Sequence, residues 1–180
     1  MPASSTTPIL GLYNMPNVTI LVVGTNGAVP DGDIPGKAIQ LAEQNFSRFI
    51  QPAWLMNSRT KLGFRNARST TNQYYFRDEM TRDRTLEGWN FFRSEQIHNT
   101  FTTGTSNNCS VMFFVDMSSA IIGEQEGILV EASTDASYLS GNSLVSSFTR
   151  GEVVIKVERR LDFTHVQQPT VVIVQGLLPL

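Results

Sequence analysis

Ser110–Met117 reads SVMFFVDM and Thr170–Gln175 reads TVVIVQ. Both are short runs of β-branched and aromatic residues, the composition that suits a buried pleated surface. Gly127–Ala132 (GILVEA) and Glu152–Arg160 (EVVIKVERR) have the same character. In the last of these, Val153, Ile155 and Val157 share one face and Lys156 and Glu158 the other, the period of a half-buried antiparallel strand. These four segments predict a mainly β fold, an antiparallel sandwich, jelly roll or barrel, carrying one or two helices.

Working outward from them, Asn17–Val23 (NVTILVV) predicts a further buried strand, followed by a glycine- and proline-rich loop to Gly36. Lys37–Ile50 is the clearest helix: Ile39, Ala42, Phe46 and Phe49 recur near every 3.6 residues, and Pro52 stops the pattern. A second helical pattern runs through Thr85–Ile97, with Leu86, Trp89, Phe92 and Ile97 in register and Gly88 against it. Residues 1–16, with three prolines and a Ser/Thr cluster, read as an extended arm, and 17–180 as a single β-rich domain.

Length and composition exclude several classes. A chain of 180 residues with 41% hydrophobic content is long enough to bury a core and too apolar for wholesale disorder. No apolar run approaches the roughly 20 residues that span a bilayer. The start, Met1-Pro2-Ala3-Ser4-Ser5, lacks the pattern of a secretory signal, and the lone Cys109 cannot form an internal disulfide, so synthesis in a cytoplasm is expected. Ser and Thr number 33 and Asn 12 against three Lys, so uncharged polar groups replace the usual charged coat. Such a surface suits coverage by neighbours, because charge is depleted at interface cores.

Candidate chemistry is thin. Gly24-Thr25-Asn26-Gly27 lies between a strand and a helix but lacks the spacing of a phosphate loop, and reads as a turn with left-handed glycines. Asp31-Gly32-Asp33 lacks the further ligands of a calcium loop, and Asp33 is better placed to satisfy amides at a helix start. His98, His165 and Cys109 sit in no nucleophile–base motif and fall short of a zinc set. No catalytic residue, metal or cofactor is expected.

Charge is more informative. Nine of the fourteen Lys/Arg residues fall between Arg48 and Arg93, and none between Ser94 and Thr149, a stretch holding six carboxylates. Arg59, Lys61, Arg65, Arg68 and Arg77 are interleaved with Tyr74 and Tyr75 in a region without acids up to Arg77. Arginine with aromatic and amide neighbours binds phosphate and stacks bases; it also pairs with carboxylates of an adjacent subunit. Both readings stay open, as does a plain solvated face.

The arm, the β-rich body, the neutral loops and the split charge together resemble small viral or phage structural proteins, including jelly-roll coat subunits. The resemblance covers the whole chain as texture and transfers no residue's role. It implies a self-assembling, non-enzymatic virion component made in a host cytoplasm, with itself as principal partner and nucleic acid as a second. Residues 1–36 contain no Lys or Arg, so any genome contact falls to 59–77. Rival readings are a carbohydrate- or surface-binding β-module using Trp54 and Trp89 on exposed loops, a single-strand nucleic-acid binder, and a small β-barrel enzyme.

Overall fold

Val111, Phe113 and Val115 project to one side of a strand, Met112 and Phe114 to the other, and all five are buried. SVMFFVDM is therefore a continuous apolar run and not an alternating one, because both faces of this strand are covered. The computed structural model describes residues 11–45 and 49–180. In chain order its elements are β1 (Thr19–Val22), α1 (Asp33–Asn45), β2 (Pro52–Met56), α2 (Ser58–Asn66), α3 (Arg77–Arg82), β3 (Thr85–Leu86), β4 (Trp89–Arg93), β5 (Phe101–Thr103), β6 (Ser106–Asp116), β7 (Ala120–Ser133), β8 (Ser137–Ser140), β9 (Ser143–Ser146), α4 (Ser147–Arg150), β10 (Val154–His165) and β11 (Val172–Leu177). Contacts group the chain into two compact units, the larger built from Leu10–Ile121 and Thr164–Leu180 and the smaller containing Ile122–Phe163.

The larger unit holds a seven-stranded sheet in the order β1-β11-β6-β2-β4-β3, with β5 added to β6. The fold is mainly β, as expected, but the sheet is open and mixed. β1 runs parallel to β11 and β2 parallel to β4, whereas β6 is antiparallel to both β11 and β2. The expected sandwich, jelly roll or barrel is not what forms. The physical reason lies in the segments between strands, which are more helical than their composition suggested. Ile34, Ala38 and Ala42 of α1, Phe64 of α2 and Met80 of α3 share a core with Trp54, Met56, Met112, Phe114, Val172 and Val174. A helical layer thus takes the place of a second sheet. On the other face Val111, Phe113, Val115, Val171 and Ile173 are packed by Leu12, Val18, Leu55, Ile97, Phe101 and Met117.

Several boundaries differ from the sequence pattern for local reasons. The helix expected over 37–50 begins at Asp33, because proline is tolerated in a first turn and Pro35 is buried there. Its last described residue is Asn45, whose amide donates to Leu41 O, Thr19 Oγ1 and Pro169 O. Phe46, expected in its core face, lies outside the described residues; Phe49 packs edge-on to Phe114 at 5.5 Å. β1 is an edge strand with Ile20 and Val22 exposed, and not the buried strand expected over 17–23. Thr85–Ile97 is not helical. Glu87 (φ 53°) and Gly88 (φ 76°) form a two-residue turn with both φ positive, and β3 and β4 pair across it, Leu86 opposite Trp89. Such a turn fits the strand twist of a tight hairpin and cannot be part of a helix. Conversely, the charged stretch between Gln51 and Thr85, where no helix was expected, contains α2 and α3.

Of the expected arm, residues 1–10 lie outside the described residues. The remainder is held by the chain's own core: Met15 is buried, Leu12 packs on the sheet, and Tyr13 lies 4.9 Å from Phe101. In the smaller unit β7 pairs with β10, and β8 with β9. Val153, Ile155 and Val157, expected on an inward face, are 62–65% exposed, since a two-stranded ladder buries neither face by itself.

Candidate functional site

Asn57 starts α2: its Oδ1 accepts from Thr60 N at 2.8 Å, and its amide donates to Ile97 O at 3.2 Å. The helix then carries Arg59, Lys61 and Arg65, whose surroundings differ. The Arg59 guanidinium donates to Asn108 O at 2.6 Å, fastening α2 beside β6. Burial lowers its pKa from the ordinary value, and Cys109 acts in the opposite sense. Lys61 and Arg65 instead line a cleft of about 560 Å³ with Met80, Thr81, Arg84, Phe91, Phe92 and Arg93. Among the described residues, four cations and no carboxylate line it. Lys61 Nζ lies over the Phe91 ring at 5.4 Å, a cation–π contact that holds the ammonium at the rim. Arg65 Nε is buried without a hydrogen-bond partner. Arg93 approaches Glu95 at 3.8 Å, while Lys61, Arg65 and Arg84 make no ion pair among the described residues.

Arg68 and Arg77 belong to a second cluster. Both guanidinium carbons face the Tyr74 ring, at 4.3 and 4.4 Å. Arg68 donates to Asn72 Oδ1 at 2.7 Å and to the Tyr74 hydroxyl. This knot closes the turn Ser69–Gln73, in which Asn72 takes φ 63°. Tyr75 joins neither group; its ring packs on Gly32, where a Cβ would stand 2.8 Å from Tyr75 Cδ1. The seven expected contact residues are thus divided between a strut, a cleft, an aromatic knot and a loop contact. The cleft also takes in Arg84, Phe91, Phe92 and Arg93, which a helix over Thr85–Ile97 does not bring together; the pair Glu87-Gly88 is the sequence signal for the turn that does.

The other candidates lose their chemistry to structure. Trp54, proposed for a sugar platform, is fully buried in β2 and donates to Leu86 O at 2.8 Å, and Trp89 is half-buried in β4. Gly24 and Gly27 take φ of 69° and 81°, the left-handed turn expected of them. Among the described residues no group of His, Cys, Asp and Glu could hold a metal. Cys109 is buried, and His165, also buried, meets Asp116 O through Nε2 at 2.9 Å. The Asp116 carboxylate accepts from Ile50 N, Gln51 N, Ser118 N and Ser118 Oγ at 2.8–3.0 Å. Burial pushes this carboxyl up, but the hydrogen bonds outweigh burial and hold it below the ordinary range. Among the described residues, no helix is long and apolar enough to cross a membrane.

The described residues thus form an open mixed sheet with a helical layer on one face and a cationic cleft beside it. The sequence matches the phage capsid family over residues 9–176, and the chain belongs to that family. Among solved structures it resembles one from Gordonia phage Cozz, with 13% identity and TM-score 0.62 over 99% of this chain and 55% of that one. It also resembles the capsid of the native GTA particle, with 12% identity and TM-score 0.59 over 88% and 49% of the two chains. A structure from Mycobacterium phage Cain matches with 15% identity and TM-score 0.57 over 86% and 50%. At these identities the likeness is one of fold, and the chain spans about half the length of those chains. No curated protein matches the sequence.

Proposed function

We propose that this chain is a self-assembling, non-enzymatic subunit, or part of one, of a phage shell, made in the host cytoplasm and packed against copies of itself in the virion. The match to the capsid family along nearly the whole chain carries the reading. The surface supports it. Ile122, Ile128, Val130, Val153, Ile155 and Val157 of the smaller unit are each 60% or more exposed, and such apolar rows mark surfaces that association covers. Of the arm expected over residues 1–16, the part before Gly11 contributes to that association, since Leu12, Tyr13 and Met15 are held by the chain's own core. The cations of the α2–β4 region serve as subunit contacts in this reading. Static light scattering and negative-stain electron microscopy of the purified chain test it: closed or sheet-like particles are expected, and a strictly monomeric chain at every concentration would overturn it.

A further inference from the structure

The cleft between α2, α3 and β4 is positively charged on every side that carries charge, and its counterpart lies on the same small helix. α3 contributes Met80 and Thr81 to the cleft wall. At about 100° per residue, Glu79 falls on the side of that helix away from the cleft, Asp78 and Asp83 flank it, and Arg82 lies among them as the one cation. Glu79 Oε1 accepts from Gly88 N at 2.7 Å, which brings this acidic side up to the hairpin turn and Glu87. None of these four carboxylates forms an ion pair among the described residues. Burial, and next the proximity of Glu79, raise the Glu87 carboxyl above its ordinary value, as expected of acids crowded without a cation.

Neither cluster is neutralised within the chain: Lys61, Arg65 and Arg84 make no ion pair among the described residues, and the four acids outnumber Arg82. The two can neutralise each other between chains. We propose that the basic cleft of Lys61, Arg65, Arg84 and Arg93 receives the acidic side of the same segment, Asp78, Glu79, Asp83 and Glu87, from a second copy. The two surfaces differ, so the contact is head-to-tail, and repetition closes a ring or extends a file of subunits. The proposal rests on the shell reading only for its choice of partner. It also changes where the acids come from. Of the carboxylates between Ser94 and Thr149, Asp116 is buried and hydrogen-bonded, Glu95 approaches Arg93, and Glu124 binds Arg159 at 2.8 Å. The acids nearest in sequence to the cleft carry free charge, as do Glu131 and Asp135 of that more distant stretch among the described residues.

Two double reversals test the contact: Lys61→Glu with Arg84→Glu in the cleft, and Asp83→Lys with Glu87→Lys on the acidic side. Glu79 is left intact because it holds the hairpin turn. By sedimentation velocity, each reversed chain alone is expected to associate at least about tenfold more weakly than the wild type, because like charges then face each other. An equimolar mixture of the two is expected to associate again, in alternation. Neutral pairs, Lys61→Gln with Arg84→Gln and Asp83→Asn with Glu87→Gln, are expected to weaken association with an unchanged thermal midpoint, separating contact loss from misfolding. Wild-type association by the cleft variants, or failure of the mixture to recover, overturns the contact. So does a cleft variant that associates normally but loses binding to oligo-dT, which assigns the cleft to phosphate. Particles that persist in the cleft variants leave the shell reading standing without this contact. A mixture that pairs while the wild type forms no particle leaves the contact standing without the shell.

Discussion

At the scale of single residues, two buried side chains decide most of what can be measured. Phe114 is fully buried at the centre of the sheet, 4.5 Å from the Trp54 ring and 5.5 Å from Phe49. Phe114→Ala removes a ring on whose packing α1 and β2 both depend, and is expected to cost about 3–5 kcal/mol in urea unfolding. A cost below about 1 kcal/mol would place Phe114 outside the core. Asp116 tests polar burial. Its carboxylate holds the amides of Ile50, Gln51 and Ser118, which lead into β2 and out of β6, so Asp116→Asn is expected to cost about 1–3 kcal/mol at pH 7. The sign with pH follows from a folded pKa held below the unfolded one. The stabilisation is fully present above the unfolded value of about 3.9 and fades as pH falls through the lower folded value. Urea midpoints of wild type and Asp116→Asn are therefore expected to converge between pH 5 and the acid limit. A gap that stays constant with pH removes the carboxylate charge from the account.

At the scale of elements, legibility depended on whether a segment's signal was local. SVMFFVDM and TVVIVQ announced strands because each residue in them favours a sheet, and β6 and β11 duly pair at its centre. The direction of pairing was not local. That β1 runs beside β11 is a contact across some 150 residues, and no residue type in either strand encodes it. The helices α2 and α3 were hidden by composition: Arg, Asn and Thr fill them, and only Asn57 three residues before Thr60 marked a cap. Asn57→Ala is expected to cost about 1–2 kcal/mol, since it removes the acceptor for Thr60 N and the donor to Ile97 O together. The hairpin at Glu87-Gly88 was hidden by an accidental helical period. Gly88→Ala puts a side chain at φ 76° in otherwise open space, so backbone strain alone acts and a loss of about 1–2 kcal/mol is expected. The same hairpin places Phe91, Phe92 and Arg93 in the cleft, so misreading one turn concealed half of the candidate site. Lys61 and Arg65 stand out from charge alone because charge runs survive errors in secondary structure, whereas their place in one cleft, apart from Arg59, Arg68 and Tyr75, is set by tertiary packing.

At the scale of the whole molecule, two kinds of uncovered surface respond oppositely to salt. The exposed side chains of Ile128 and Val130 on β7 and of Ile155 and Val157 on β10 form an apolar row on each strand, and burial of such rows is favoured by excluded salts such as sulfate. The cleft of Lys61, Arg65, Arg84 and Arg93 is charged, and exposed charges are screened within roughly 8 Å at physiological ionic strength and 3 Å at 1 M. If association used only the apolar rows, particles would form more readily as salt rises, whether chloride or sulfate. If the charged contact limits it, sodium chloride slows particle growth and a later rise with sulfate reports the apolar rows. The expected profile by light scattering is thus a fall in initial growth rate between 50 mM and 500 mM sodium chloride. Val130→Asp with Ile155→Asp is expected to abolish the sulfate-driven rise without altering the chloride-driven fall. Lys61→Gln with Arg84→Gln is expected to do the reverse. The two variant pairs lie in different compact units of the chain, so their effects on association free energy should add unless one contact must form before the other. A growth rate that rises monotonically with chloride, in wild type and in the cleft variant alike, would leave the apolar surface as the sole driver of assembly and the cleft without a part in it.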